Sequence, residues 1–261
     1  MILTNGKIGI LKKIIVSIDS FFNDDTTYYA ASLSFFTIFS ILPIIALGIA
    51  IISSFPEFNS YIEIFTNFLF DFLNPTHSTE IVESLRNYIS NSNKLGFIGI
   101  LYMLFVFIMF FKDYDYIVNK IHNTERRAIY KSFFIYLILF IVFPIIFVII
   151  TYANSLHEND IFKFLSTFLF TWFMFFSIFK LSINKKLYFK AILISSFLTL
   201  LVLTITQNLF VYYVVYNKTY TTIYGSLATL LFTFLWIYIS WIIYLYGIKI
   251  CYKLNLKELE N

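Results

Sequence analysis

Six long apolar stretches, at about residues 26–52, 95–111, 133–153, 161–179, 191–215 and 225–250, alternate with short polar segments. About 20 residues rising 1.5 Å each cross the ~30 Å hydrocarbon core of a bilayer. The pattern therefore predicts six transmembrane helices, because lipid cannot satisfy free backbone N–H and C=O groups. The first stretch follows a charged segment, is too long for a signal-peptide core and has no small-residue cleavage site after it. It is expected to be retained.

Between and before these stretches the periodicity changes. Ile8, Leu11, Ile15, Ile18 and Phe22 recur at three- and four-residue spacing, with Lys12 and Lys13 on the polar side. Such a stripe predicts an amphipathic helix lying on the inner membrane surface. In the outer loop, 53–94, one helix is expected from Pro56 to Asn74-Pro75, with Phe58, Tyr61, Ile62, Phe65, Phe68 and Leu69 on its apolar face. A second is expected from about Thr79 to Ser90, with Glu80 and Glu83 suited to its first turn. Both are too short and charged to be crossings. They form either a cap over the bundle or an interfacial element that handles lipid. The whole chain, 1–261, reads as a single polytopic membrane domain.

Composition strengthens this picture: 59% of the residues are hydrophobic and 13% charged, against about a quarter charged in soluble domains. Charge also sets a topology. Of the 19 Lys and Arg, 15 fall in alternate segments: before the first stretch, after the second, after the fourth and at the carboxyl end. The positive-inside bias makes that side cytoplasmic, with both termini inside. The net charge of +4 then suits anionic lipid head groups and calls for no nucleic acid. Membrane lipids are the expected partners; a homo-oligomer or envelope protein partners are left open. Cys251 is the lone cysteine, so no internal disulfide is available.

Candidate chemistry is sparse. His77, His122 and His157 fall in different loops, and no phosphate-cradling or nucleophile-elbow motif occurs. No catalytic group, metal or cofactor is expected. In the first stretch, Ala30, Ala31, Ser34, Thr37 and Ser40 offer a small, hydroxyl-bearing face for close helix packing or for lining a pathway. Pro43 predicts a kink there, and Pro144 one in the third stretch. Gln207 and Asn208 in the fifth are expected to point into the bundle or a wet cavity, since an amide in lipid needs partners. Lys249 can snorkel to the inner head groups. Asp24 and Asp25 suit the start of the first helix, where the macrodipole favours carboxylates. No acid lies deep inside any stretch, which argues against a proton-coupled carboxylate relay.

Several motifs in order resemble the YihY/BrkB family of bacterial inner-membrane proteins over nearly the whole length. They are Asp24-Asp25 with Ala30-Ala31-Ser32-Leu33-Ser34-Phe35-Phe36, Ser40 and Pro43, then Tyr116-Ile117-Val118-Asn119-Lys120-Ile121. The last block is Ile223-Tyr224-Gly225-Ser226-Leu227-Ala228 leading through Trp236-Ile237-Tyr238 to Leu245-Tyr246-Gly247. The chain departs from the family at Gly247-Ile248-Lys249, where members usually read Gly-Ala-Glu, and at Lys190-Ala191, where Gly-Ala is usual. The resemblance implies a six-helix inner-membrane fold. Members have been described as virulence or serum-resistance factors, exporters, or a tRNA-processing ribonuclease, and this chain lacks the residues a nuclease needs. The expectation is an all-α, six-helix, N-in/C-in protein of the inner membrane. Its work is to move or handle an amphiphilic, envelope-related substrate; the alternative is a scaffold through which nothing passes.

Overall fold

The computed structural model describes residues 25–53, 61–73, 83, 87, 96–157, 159–216 and 226–260. Over these the chain is helical: α1 (Asp25–Ser53), α2 (Ile62–Leu73), α3 (Gly96–Ile121), α4 (Ile129–Ser155), α5 (Asp160–Ser182), α6 (Phe189–Tyr216) and α7 (Ser226–Glu260). α1 and α4 each run on as one helix through Pro43 and Pro144. The amino-terminal amphipathic helix and nearly all of the second outer-loop helix lie outside the described residues.

Two ends have visible local causes. Before α5, the Asn159 side chain accepts the Ile161 N–H at 2.9 Å, satisfying one of the orphan donors of the first turn. After α3, Asn123 takes φ 48°, a left-handed turn that Asn tolerates better than most residues. α3 extends ten residues past the apolar stretch that ends at Phe111. Lys112, Asp113 and Asp115 end the hydropathy signal without ending the helix, because no Gly or Pro follows until after Ile121.

Four helices, 129–155, 160–182, 189–214 and 230–258, are long and apolar enough to cross a membrane, counted over the described residues. Their outer flanks carry bare apolar side chains: Ile138 on α4, Phe164 on α5, Leu209 on α6 and Leu231 on α7 are all exposed. Surfaces this apolar are unsuited to water and suited to lipid.

Inside, α7 packs on α6 and α1, α1 on α3, and α5 on both α4 and α6. The main core joins Ala30 and Leu33 of α1, Phe107 and Tyr114 of α3, Tyr136 of α4, Phe179 of α5 and Leu245 and Ile248 of α7. α2 closes one end. Its Phe65 and Phe68 rings lie 5.6 and 4.8 Å from Phe147 of α4, an edge-on and a tilted contact of the kind aromatic pairs prefer.

Candidate functional site: aromatic cavities above a polar floor

Bulky rings that cannot interdigitate fully leave space between the helices. A cavity of about 330 Å³ is lined by Thr37, Phe68, Met174, Phe175, Trp236, Ser240, Trp241 and Tyr244. A second, of about 280 Å³, shares Thr37, Phe68 and Met174 with it and reaches Ser40, Ile44, Phe143 and Pro144. A third, of about 260 Å³, lies against Phe110, Phe111, Tyr114, Tyr136, Trp241 and Tyr244. Shared wall residues set the three side by side as one apolar region within the bundle.

Isolated hydroxyls interrupt its apolar lining. The Thr37 hydroxyl donates to the Leu33 carbonyl at 2.7 Å and accepts the Trp241 indole N–H at 2.8 Å, tying α1 to α7 at the cavity wall. Ser34 is buried and bonds back to the Ala30 carbonyl. Ser40 is 2% exposed and reaches the Thr37 carbonyl at 3.4 Å. A side branch of about 260 Å³ between α5 and α6 is lined by Thr167, Thr171, Thr204 and Gln207.

The cavities end on a polar floor. Tyr114 of α3 bonds to the Tyr244 hydroxyl of α7 and, at 3.1 Å, to Ser182 of α5. One residue on, Asp115 is 3% exposed and accepts the Tyr136 hydroxyl at 2.9 Å. Asn119, 1% exposed, donates to the Asp115 and Ser182 carbonyls and accepts the Asn184 N–H at 2.7 Å. Beyond it, Arg127 bonds to the Leu181 and Ile183 carbonyls at the carboxyl end of α5, where the dipole favours a cation. His122 is fully buried, its Nε2 facing the Ile248 carbonyl at 3.2 Å. Burial holds its imidazole down to about 4, the charged form being costly there. Asn255 of α7 accepts the Tyr188 N–H at 2.9 Å. The carboxyl ends of α3, α5 and α7 thus meet the start of α4 and of α6. These are the ends beside the Lys- and Arg-rich segments, and this is called the basic end below.

The sequence candidates are distributed unevenly over this site. Thr37, Ser40 and Trp236 line the cavities, Gln207 lines the side branch, and Pro43 is buried within α1. Asn119 belongs to the floor, within the last turns of α3. Gly247 is where α7 meets Thr199 of α6: a Cβ there would overlap the Thr199 hydroxyl. Lys249 is half-buried, with Nζ 5.7 Å from the Tyr246 ring centre. Asn208 departs from expectation. It is exposed on the outer flank, its amide folded back onto the Thr204 carbonyl at 2.8 Å, so its own helix supplies the partner a cavity was expected to provide. Asp25 is exposed in the first turn of α1, away from the cavities, and Asp24, Tyr224 and Gly225 lie outside the described residues.

Asp115, Tyr114, Tyr136, Tyr244 and Trp241 were not legible as candidates from hydropathy. Asp115 lies outside the apolar stretches, which hold no acid as read from the sequence, but α3 carries it into the bundle past the end of its own stretch, beyond the reach of the stretches alone. One signal could have found it: Asp115, Asn119 and His122 follow at i, i+4 and i+7, a polar stripe on one helix face.

No solved structure matches this chain. A UPF0761 membrane protein of Haemophilus influenzae (strain 86-028NP) is 32% identical over 238 residues, covering 87% of this chain and 88% of that one. A UPF0761 membrane protein of Mannheimia succiniciproducens is 30% identical over 237 residues, with 86% and 83% covered. One of Pseudoalteromonas translucida is 27% identical over 254 residues, with 92% and 84% covered. The sequence profile of the family described as Virulence factor BrkB matches residues 17–260. With its stacked apolar helices and that match, the chain is a membrane protein of the BrkB family.

Proposed function

We propose that this protein crosses the bacterial cytoplasmic membrane six times with both termini inside. In this reading it is not an enzyme, and its adjoining cavities bind and pass an amphiphilic, envelope-related molecule. The observation that carries the reading is an apolar space with isolated hydroxyls running between the helices. Hydrocarbon alone gains little by leaving lipid for such a space, since lipid is equally apolar. What the space offers, and lipid does not, is a hydrogen-bond acceptor beneath the surface: the hydroxyl oxygens of Thr37 and Ser240 keep a free lone pair while their protons go to the Leu33 and Trp236 carbonyls. A molecule with both an apolar chain and a polar group to bring inward is the one that benefits, because an unpartnered polar group in hydrocarbon costs several kcal/mol.

The test uses purified protein in vesicles of bacterial polar lipid containing a trace of fluorescent-headed phospholipid, with dithionite quenching to report movement between leaflets. Protein-containing vesicles should exchange the probe faster than empty ones. Thr171→Phe and Ser240→Phe, which fill the cavity from its walls, should slow exchange. Equal rates with and without protein would reject transport of this class and favour the scaffold reading. Topology is checked by single cysteines placed near each terminus in a Cys251→Ser background, both of which should label from the cytoplasmic face.

A further inference from the structure

A carboxylate stands inside the bundle where a neutral side chain would fill the same place at lower cost. Asp115 accepts the Tyr136 hydroxyl, and Ser132, one turn earlier on α4, faces the same carboxylate. Ser132 is 4% exposed, and its Oγ has no hydrogen-bond partner. Arg127, in the connection between α3 and α4, is the cation facing this group, and its guanidinium is committed to the carbonyls of Leu181 and Ile183. From the other elements, Tyr114 and, through it, Tyr244 and Ser182 adjoin the site, while α1 contributes the apolar Ala30 and Leu33.

Keeping an ionised carboxylate this deep costs several kcal/mol unless it is well paired. An Asn would accept the Tyr136 hydroxyl equally well without that cost. What Asp adds is the ability to gain and lose a proton. The unpartnered Ser132 suits both states: it can donate to the carboxylate, or accept from the carboxyl O–H once a proton is bound. The polar stripe continues from Asp115 through Asn119 to His122, whose buried Nδ1 likewise has no partner, so polar atoms lead from the carboxylate to the basic end. On the other side, Tyr136 and Tyr114 are themselves walls of the cavity above.

We propose that Asp115, with Tyr136 and Ser132, is a proton-binding site reached from the basic end, and that its loading and unloading moves the tyrosine floor of the cavity. Amphiphile movement is then coupled to a proton gradient. The coupling rests on the reading of the cavity given above; proton binding at Asp115 does not.

Two measurements on the full protein in vesicles separate these. Infrared difference spectra between alkaline and acid pH should show the C=O stretch of a buried protonated carboxyl, missing in Asp115→Asn. An identical difference spectrum in wild type and variant overturns the proposal, whatever happens to the lipid probe. The leaflet-exchange assay is then run with and without an imposed pH gradient. The wild-type rate should change several-fold, while Asp115→Asn, which keeps the acceptor for Tyr136, should run at one rate in both conditions. A wild type indifferent to the gradient, a measurement that needs no variant, refutes the coupling, as does a variant that keeps the response. If no probe moves in any vesicle but the carboxyl band is present and lost in Asp115→Asn, the cavity reading fails and the proton site stands.

Discussion

Gly247→Ala is expected to loosen the α6–α7 contact, and the geometry sets the size of the effect. A methyl at this position would overlap the Thr199 hydroxyl oxygen and lie 3.0 Å from both Thr199 Cβ and Cγ2. Thr199 has little room to yield. It is 3% exposed, and its hydroxyl donates to the Ser195 carbonyl at 2.7 Å. Turning χ1 sacrifices that bond, worth about 1 kcal/mol net, in a β-branched side chain already restricted within a helix. Parting the helices instead is overpacking, typically about 1–3 kcal/mol. Whichever way the contact relaxes, the loss is about 1–3 kcal/mol, or roughly 2–12 °C in Tm for a chain of this size. The protein supplies its own reporter: Cys251 is the one cysteine and is fully buried, so a fluorogenic maleimide reacts as the bundle opens. Thr199→Ala removes Oγ1 and Cγ2, so the double variant should recover part of the loss, with a coupling of about 1–3 kcal/mol. An unchanged Tm in Gly247→Ala, or strict additivity with Thr199→Ala, would refute this account of the contact.

The floor yields further expectations. His122 stays neutral in the fold down to about pH 4, while the unfolded chain protonates it near 6.5, so unfolding takes up a proton between those values. Stability should be full above that window and fall as pH drops through it, by about 3 kcal/mol in total; Tm against pH should show the slope, and His122→Gln should lose it. Asn119→Leu strands the Asn184 N–H and the Ser182 carbonyl, at about 1–3 kcal/mol for each buried group left unpaired, and should lower Tm clearly in the same thiol assay. Asn208→Leu, on the exposed outer flank, should leave Tm unchanged or raise it.

Much of the candidate site was beyond a one-dimensional reading, for reasons visible in particular residues. Gln207 and Asn208 look equivalent along the chain. Successive helical residues differ by about 100° in direction, so one lines the side branch and the other faces outward. Trp241 is one of three tryptophans in an apolar chain, and only the meeting of α1 with α7 gives its N–H the Thr37 oxygen. Ser34, Thr37 and Ser40 were found as a hydroxyl-bearing face because a small-residue stripe at helical spacing is a local property.

The amino-acid sequence by itself determined that the chain is helical and belongs in lipid, because segment length and hydropathy settle where backbone polar groups can be satisfied. The spacing of its Lys and Arg also named the segments that share an end, and cross-helix bonds such as Asn119 to Ser182 and Tyr188 to Asn255 bring several of those segments together. Only the tertiary structure decided that Asp115 is an interior group. Burial belongs to what surrounds a residue, and Tyr136 and Ser132 come to it from α4, while Tyr244 of α7 closes over the neighbouring Tyr114.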